Sequence, residues 1–163
     1  MQTVILPGYS DKNRKWVDDV SSYLDIGGII RPIYWMHWSD NNNKFNAYEK
    51  AKLLVTVLKG ERVNIVAKSI GTLVASFVYQ IIPDQIEKLI FCGIPINDLS
   101  PDDIETIKGC IEINNDKFLG FQNSKDLHGT FKQVQNFGNI ISKDSDDHEY
   151  PYFSEFQDFL THI

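Results

Sequence analysis

Short apolar runs alternate with longer segments of helical periodicity along the whole chain. Six runs rich in β-branched residues predict strands at positions 3–6, 28–33, 63–67, 88–92, 117–122 and 140–142. Between these runs, apolar residues recur every three or four positions, as in the stripe formed by Trp16, Val17, Val20, Tyr23 and Leu24. Strands that alternate with amphipathic helices are typical of a parallel sheet covered by helices on both faces.

The connections between these elements are expected to carry the function. Crossovers between parallel strands are right-handed, so functional loops gather at the carboxyl ends of the strands. The longest connection covers positions 93–116, and Ser100-Pro101-Asp102-Asp103 predicts the start of a helix inside it. No repeat or low-complexity linker divides the chain, and we expect one domain over residues 1–163.

Composition narrows the possible functions without naming one. The 163 residues are 42% hydrophobic and carry a net charge of −6 with interspersed signs, so we expect no nucleic-acid partner. No apolar stretch approaches the roughly 20 residues that cross a bilayer, and no membrane contact is expected. Positions 1–6 show no leader pattern, which predicts a cytoplasmic protein. Cys92 and Cys110 lack the spacing of a zinc site, and no metal is expected.

The segment Ala67-Lys68-Ser69-Ile70-Gly71 is the strongest chemical signal. It joins an apolar strand to an apolar helix through a turn that carries a serine, with small residues two positions away on either side, as in the G-x-S-x-G nucleophile elbow. A phosphate loop is excluded, because Arg62 and Ala67 stand where its glycines belong. A plain helix cap by Ser69 remains open.

A nucleophilic serine needs a base, and the base needs an orienting group. Asp126 follows the fifth strand and His148 follows the sixth, in the order that hydrolases built on doubly wound sheets use. Asp98, after the fourth strand, is the alternative acid. His148 could instead be a surface residue of the acidic loop at 144–149. His128 is too near Asp126 in sequence to be its obvious partner.

Four segments carry a resemblance to a known family: V-I-L-P-G-Y at 4–9, A-K-S-I-G at 67–71, N-S-K-D at 123–126 and D-H at 147–148. With these segments the chain resembles the small serine-hydrolase branch of the α/β-hydrolase superfamily, similar to hydrolases related to retinoblastoma-binding protein 9. The resemblance implies Ser69 as nucleophile, His148 as general base and Asp126 as acid. It also implies an oxyanion hole made by the backbone N–H groups of Tyr9 and Ile70, and no cofactor.

The resemblance also implies an architecture. The expected fold is α/β, with three layers and a doubly wound, six-stranded parallel sheet in the spatial order 2-1-3-4-5-6. Only residues 94–109 could cover the site, so the fold is expected to be minimal and without a large lid.

The expected function is that of a serine hydrolase, similar to a carboxylesterase or thioesterase. Its substrate would be a small acyl ester or thioester. Tyr9, Trp35 and Trp38 are candidates for binding that substrate, although their rings could equally pack the rim of the sheet. The alternative is a catalytically idle member that serves as a protein-binding module. A monomer and a homodimer are both compatible with the sequence.

Overall fold

The computed structural model describes residues 1–162, which form alternating strands and helices. The strands are β1 (Gln2–Leu6), β2 (Ile29–Pro32), β3 (Val63–Lys68), β4 (Ile86–Cys92), β5 (Phe118–Asn123) and β6 (Ile140–Lys143). The helices are α1 (Asn13–Tyr23), α2 (Ala47–Leu58), α3 (Ile70–Ile81), α4 (Pro101–Ile113), α5 (Phe131–Val134) and α6 (Phe153–Thr161). Each of the six predicted strands is present, with ends that differ by one or two residues.

All six strands are parallel and lie in the order β2-β1-β3-β4-β5-β6. The order predicted from the sequence is confirmed. Leu6 at the end of β1 pairs with Ala67 of β3, and Ala67 pairs in turn with Phe91 of β4. The carboxyl ends of the central strands therefore lie side by side, and the loops that follow them share one edge of the sheet.

Helices cover both faces of the sheet and bury two separate apolar cores. One core packs α2, α3 and α4 against the side chains that alternate strand positions send to their face. The other packs α1 and α6 against the opposite face. Because both faces are covered, the central strands β1, β3 and β5 are buried at every position. The edge strands β2 and β6 are partly exposed.

Local capping explains where two of the helices begin. The hydroxyl of Ser100 accepts a hydrogen bond from the N–H of Asp103 at 3.2 Å, and Pro101 occupies the first turn of α4. The predicted helix start at this position is confirmed. Asn46 caps α2 in the same way, accepting from the N–H of Glu49 at 2.9 Å. Within residues 1–162, every helix is too short or too polar to span a membrane.

Candidate active site

Ser69 lies on a strained turn between β3 and α3. Its φ is 54° and its ψ is −125°, a backbone conformation that non-glycine residues rarely adopt. The turn is held from both sides: the N–H of Ser69 donates to the carbonyl of Cys92 at 2.9 Å, and its carbonyl accepts from the N–H of Thr72 at 2.9 Å. Strain that the surrounding hydrogen bonds maintain is typical of a nucleophile elbow and not of an ordinary helix cap.

Gly71 shows why the elbow needs a small residue at this position. A Cβ atom on Gly71 would lie 2.6 Å from the carbonyl oxygen of Leu6 and 2.9 Å from that of Pro7. Both distances are far below van der Waals contact, and both neighbours are backbone atoms. The first turn of α3 thus packs directly on the end of β1, which brings the loop after β1 next to the elbow.

Buried Asp126 and partly buried His148 form a pair in the loops after β5 and β6. The Nδ1 atom of His148 lies 2.5 Å from the Oδ2 atom of Asp126. The same oxygen accepts from the hydroxyl of Tyr150 at 2.6 Å, and Oδ1 accepts from the N–H of His128 at 2.9 Å. Burial raises the pKa of Asp126, but the hydrogen bonds from His148 and Tyr150 outweigh it, and the net pKa lies below its usual range.

These contacts define the protonation of the His148 ring. A carboxylate can only accept hydrogen bonds, so Nδ1 of His148 carries a proton and Nε2 of the neutral ring is free to accept one. The Nε2 atom is buried and has no hydrogen-bond partner within residues 1–162. The ring is thus oriented as a general base would be, without a hydrogen bond to the hydroxyl of Ser69.

Ser69 and His148 line the same cavity, which we call the Ser69 cavity. Its volume is about 580 Å³. The residues that line it are Tyr9, Ser10, Asn13, Phe45, Ser69, Ile70, Pro95, Asp98, Leu99, His128 and His148. The cavity therefore brings side chains from the loops after β1, β4, β5 and β6 around the serine at the end of β3.

Solved structures share this architecture at low sequence identity. An esterase, Est1E from Butyrivibrio proteoclasticus with ferulic acid bound, superposes with a TM-score of 0.69 at 12% identity over 98% of this chain and 86% of its own. Alpha/beta hydrolase domain-containing protein 10 from mouse gives 0.68 at 14% identity over 96% and 86%. A serine hydrolase without lid from Xanthomonas campestris gives 0.68 at 13% identity over 99% and 79%. This chain has the α/β-hydrolase fold.

The similarity is visible in structure only. No protein-family profile matches the chain, and no curated protein sequence matches it. The predicted α/β-hydrolase architecture is confirmed, whereas the narrower resemblance to hydrolases related to retinoblastoma-binding protein 9 stays a prediction. Likewise, the roles of individual site residues depend on geometry alone.

The predicted oxyanion-hole residues, Tyr9 and Ile70, both line the Ser69 cavity. Ile70 is the first residue of α3, where a helix leaves its N–H groups without intrahelical acceptors. The ring of Tyr9 is exposed and stacks on the ring of His37, with centroids 4.5 Å apart. Phe45, which the sequence did not single out, lies edge-on to Tyr9 at 5.8 Å and also lines the cavity.

Trp35 and Trp38, predicted as substrate-binding residues, are not among the residues that line the Ser69 cavity. Their indole N–H groups donate to the loop after β1: Trp35 to the carbonyl of Gly8 at 3.0 Å, and Trp38 to the carbonyl of Tyr9 at 2.7 Å. Trp35 is also buried in the core. Both side chains therefore support the Tyr9 loop, and their contact with substrate stays a prediction.

Asp98, the alternative acid, lies next to another histidine. Its Oδ2 atom is 2.5 Å from Nδ1 of His128, whereas the partner of His148 is Asp126. The rings of His128 and His148 are neighbours, with centroids 4.4 Å apart. The cavity thus has two histidine–aspartate pairs. The position of His128, two residues after Asp126, does not indicate this contact, and no sequence pattern predicts that His128 lies against Asp98.

Lys68, directly before Ser69, is buried with only 3% of its surface exposed. Its ammonium group lies 3.6 Å from the carboxylate of Glu149 and 5.7 Å from the ring centre of Trp16. Burial lowers the pKa of Lys68 below its usual value, against the opposing attraction of Glu149. Lys68 thus contacts the loop that carries His148.

No metal centre is formed by the described residues. Within residues 1–162, no group of three or more His, Cys, Asp or Glu side chains is placed to hold a metal ion. With its own side chains, the site can perform proton transfer and nucleophilic attack by a hydroxyl. Its backbone N–H groups can stabilise negative charge.

Proposed function

We propose that this protein is a serine hydrolase that cleaves small acyl esters or thioesters through an acyl-enzyme. The observation that carries the proposal is the combination of two features in one cavity. Ser69 is held on a strained elbow, and His148 is oriented by Asp126 with its Nε2 atom unpaired. The structural similarity to hydrolases, among them an esterase with ferulic acid bound, supports the same reaction class.

In the proposed reaction, Nε2 of His148 removes the proton of Ser69 as the hydroxyl attacks the ester carbonyl. The resulting tetrahedral oxyanion accepts hydrogen bonds from the N–H groups of Tyr9 and Ile70. His148 then gives the proton to the leaving group, and the acyl-enzyme remains on Ser69. A water molecule that loses its proton to His148 hydrolyses this ester and restores the serine.

Asp126 has two tasks in this reaction. It keeps the proton of His148 on Nδ1, so that Nε2 has a free lone pair and can act as a base. Its negative charge also stabilises the imidazolium that forms when His148 takes the serine proton. The three donors around the carboxylate keep Asp126 ionised at neutral pH, which both tasks require.

The form and charge of the cavity support a small substrate that is largely apolar. A volume of about 580 Å³ is typical of sites for small molecules. Tyr9, Phe45, Ile70 and Leu99 give it apolar walls, and neither lysine nor arginine lines it.

Labelling with a fluorophosphonate probe tests the proposal directly. We expect labelling of the wild-type protein, none in Ser69→Ala, and a strong decrease in His148→Ala, since the serine and its base act as a unit. A series of p-nitrophenyl esters of rising chain length then gives the preferred acyl size. If the folded wild-type protein is not labelled, the alternative of a protein-binding module without catalytic activity is favoured.

A further inference from the structure

We propose that His128, held in place by Asp98, is a substrate-binding residue that selects esters carrying a hydroxyl group. This inference rests on the proposed hydrolase function and adds the substrate class to it. His128 follows Asp126 by two positions, and its ring lies against that of His148 in the wall of the Ser69 cavity.

His128 is held rigidly in place before a substrate binds. Its backbone N–H donates to Oδ1 of Asp126 at 2.9 Å, and its carbonyl accepts from the N–H of Asn97 at 2.9 Å. One ring nitrogen is bound to Asp98 at 2.5 Å. Although the side chain is 49% exposed, three contacts fix its backbone and its ring. Side chains fixed before the ligand arrives lose little conformational entropy on binding, which favours a role in recognition.

The loops that carry the pair are also joined to each other. The side chain of Asn97 donates to the carbonyl of Leu127 at 2.9 Å and accepts from the amide of Gln133 at 2.8 Å. The loop after β4, which holds Asp98, is thus connected to the loop after β5, which holds His128. The pair is part of the same rigid edge as Asp126.

One nitrogen of the His128 ring is free to accept a hydrogen bond from a substrate. Since Asp98 only accepts hydrogen bonds, Nδ1 of His128 is protonated and Nε2 of the neutral ring is an acceptor. Within residues 1–162, Nε2 of His128 has no hydrogen-bond partner, and the side chain is accessible to solvent. A substrate hydroxyl can donate to this atom.

The charges around the cavity favour a neutral hydroxyl group on the substrate over an anionic group. The carboxylate of Asp98 lies beside His128, and neither lysine nor arginine lines the cavity, so an anionic group on the substrate would meet repulsion without a fixed cation to offset it. A neutral hydroxyl meets no such repulsion. The apolar walls formed by Tyr9, Phe45 and Ile70 suit the hydrocarbon or aromatic part of the same molecule.

A competing explanation is that His128 only packs against the ring of His148. Packing needs the shape of the ring, whereas recognition needs Nε2, so His128→Phe separates the two. A site that hydrogen-bonds a substrate hydroxyl discriminates against the deoxy analogue, whereas an apolar wall distinguishes the two weakly. The ratio of activities on hydroxylated and deoxy esters is therefore the quantity that decides.

The experiment measures kcat/KM on two matched pairs of esters. One pair varies the acyl group, p-nitrophenyl 3-hydroxybutyrate against p-nitrophenyl butyrate, and the other varies the leaving group, 3-hydroxyphenyl acetate against phenyl acetate. In at least one pair we expect the wild type to prefer the hydroxylated ester by about tenfold, a modest ratio because His128 is half-exposed. We expect His128→Phe to lose the preference, with a larger decrease in kcat/KM on the hydroxylated ester than on the deoxy ester, and His128→Gln to restore part of it.

Two outcomes overturn the inference. One is a wild-type enzyme without preference in either pair, and the other is a His128→Phe variant in which both esters of the preferred pair slow equally. Fluorophosphonate labelling of Ser69 in the same preparations separates this failure from that of the proposed function. Labelled protein without a hydroxyl preference contradicts only the role of His128. Unlabelled protein that turns over no ester contradicts both proposals.

Discussion

The indole N–H of Trp35 donates to the carbonyl of Gly8 at 3.0 Å and thereby orients the peptide group that carries the N–H of Tyr9. The two groups belong to one trans peptide plane, in which C=O and N–H point in opposite directions. With the carbonyl turned toward buried Trp35, the N–H of Tyr9 is fixed on the opposite side. A tryptophan outside the cavity thus sets the direction of a proposed oxyanion-hole donor.

Replacing Trp35 with phenylalanine should lower turnover more than substrate binding. The aromatic ring stays, but the donor to Gly8 is lost, and the N–H of Tyr9 becomes less well oriented. Removal of a whole oxyanion donor costs about 100-fold or more in kcat, so we expect about a tenfold decrease from its misorientation, with little change in KM. Steady-state kinetics on a p-nitrophenyl ester measures both values.

Trp38→Phe is the matched control for this variant, because Trp38 donates to the carbonyl of Tyr9 and so orients the next peptide group. Its effect on kcat should be clearly smaller. Equal decreases in both variants would mean that the tryptophans act only by packing the loop.

Tyr150→Phe should destabilise the protein in a pH-dependent way. The hydroxyl of Tyr150 donates to Asp126 at 2.6 Å and accepts from the N–H of Asn123 at 3.1 Å, so its removal leaves a buried N–H unpaired. We expect a loss of about 1–3 kcal/mol in the free energy of unfolding at pH 7. Urea unfolding measures it.

The pH dependence follows from the lowered pKa of Asp126. A carboxylate whose pKa is lower in the folded state stabilises the fold above its unfolded pKa of about 3.9, and this stabilisation is lost as the pH falls through the folded pKa. Tyr150 supplies part of that lowering. The difference between wild type and Tyr150→Phe should therefore shrink below about pH 4, and a difference that grows there would contradict this account.

Removing the ion pair between Lys68 and Glu149 at the lysine should not lower stability but should lower activity. Lys68→Met replaces a buried charge with an apolar chain of similar length, while Glu149 stays 71% exposed to water. We expect a free energy of unfolding that is unchanged or higher by about 1 kcal/mol. We also expect a lower kcat, because the loop that carries His148 loses its contact with β3. Urea unfolding and ester kinetics on the same preparation test both parts.

Glu149→Gln is the complementary variant. It leaves the buried ammonium of Lys68 without its carboxylate, so the pKa of Lys68 falls further and the protein is less stable at pH 7. A lysine with a lowered pKa destabilises the fold while it is protonated in both states, and this cost disappears as the pH rises through the folded and then the unfolded pKa. Stability lost at pH 7 should thus be regained toward about pH 10, and a loss that does not change with pH would exclude the ion pair as its cause.

Gly71→Ala should disrupt the elbow. The added Cβ would meet the carbonyl oxygens of Leu6 and Pro7, which cannot move without shifting the end of β1. We expect a loss of about 1–3 kcal/mol in the free energy of unfolding and a large loss of fluorophosphonate labelling.

Gly109→Ala provides the contrast, since a Cβ at Gly109 in α4 meets no atom within 4 Å. Alanine is the better helix former, so this variant should be more stable by about 0.5–1 kcal/mol with unchanged labelling. Similar effects of the two substitutions would show that the contact of Gly71 with β1 is not what matters.

The strands of the sheet were readable from the sequence because parallel strands are buried on both faces and appear as continuous apolar runs. Their spatial order was implied by the resemblance to α/β hydrolases and not by the pattern itself. Because of this burial on both faces, the position of the Lys68 side chain could not be predicted. In a strand with both faces covered, a charged residue at the end gives no sign of which face it enters. The elbow was readable for a different reason: its backbone conformation restricts the residue types at Ala67 and Gly71, and that restriction is visible in the chain.

The second histidine–aspartate pair could not be found in this way. His128 and Asp98 lie in different loops, and their contact depends on the turn after Asp126 and on the hydrogen bonds of Asn97. Trp35 posed a similar problem. Its position after β2 predicted an aromatic residue near the edge of the sheet, but only the rotamer decides whether the ring or its N–H faces the loop after β1.

The groups of the proposed site come from different parts of the chain according to their function. Of the groups that would stabilise developing negative charge, Tyr9 comes from the loop after β1 and Ile70 from the start of α3, whereas the histidine that would exchange protons and its aspartate come from the loops after β6 and β5. The helix that follows Ser69 is the junction between the two sets. Consequently, variation in the first third of the chain can tune how strongly a reacting carbonyl is polarised, while variation in the last half can alter proton affinity and choice of substrate, with neither change disturbing the other.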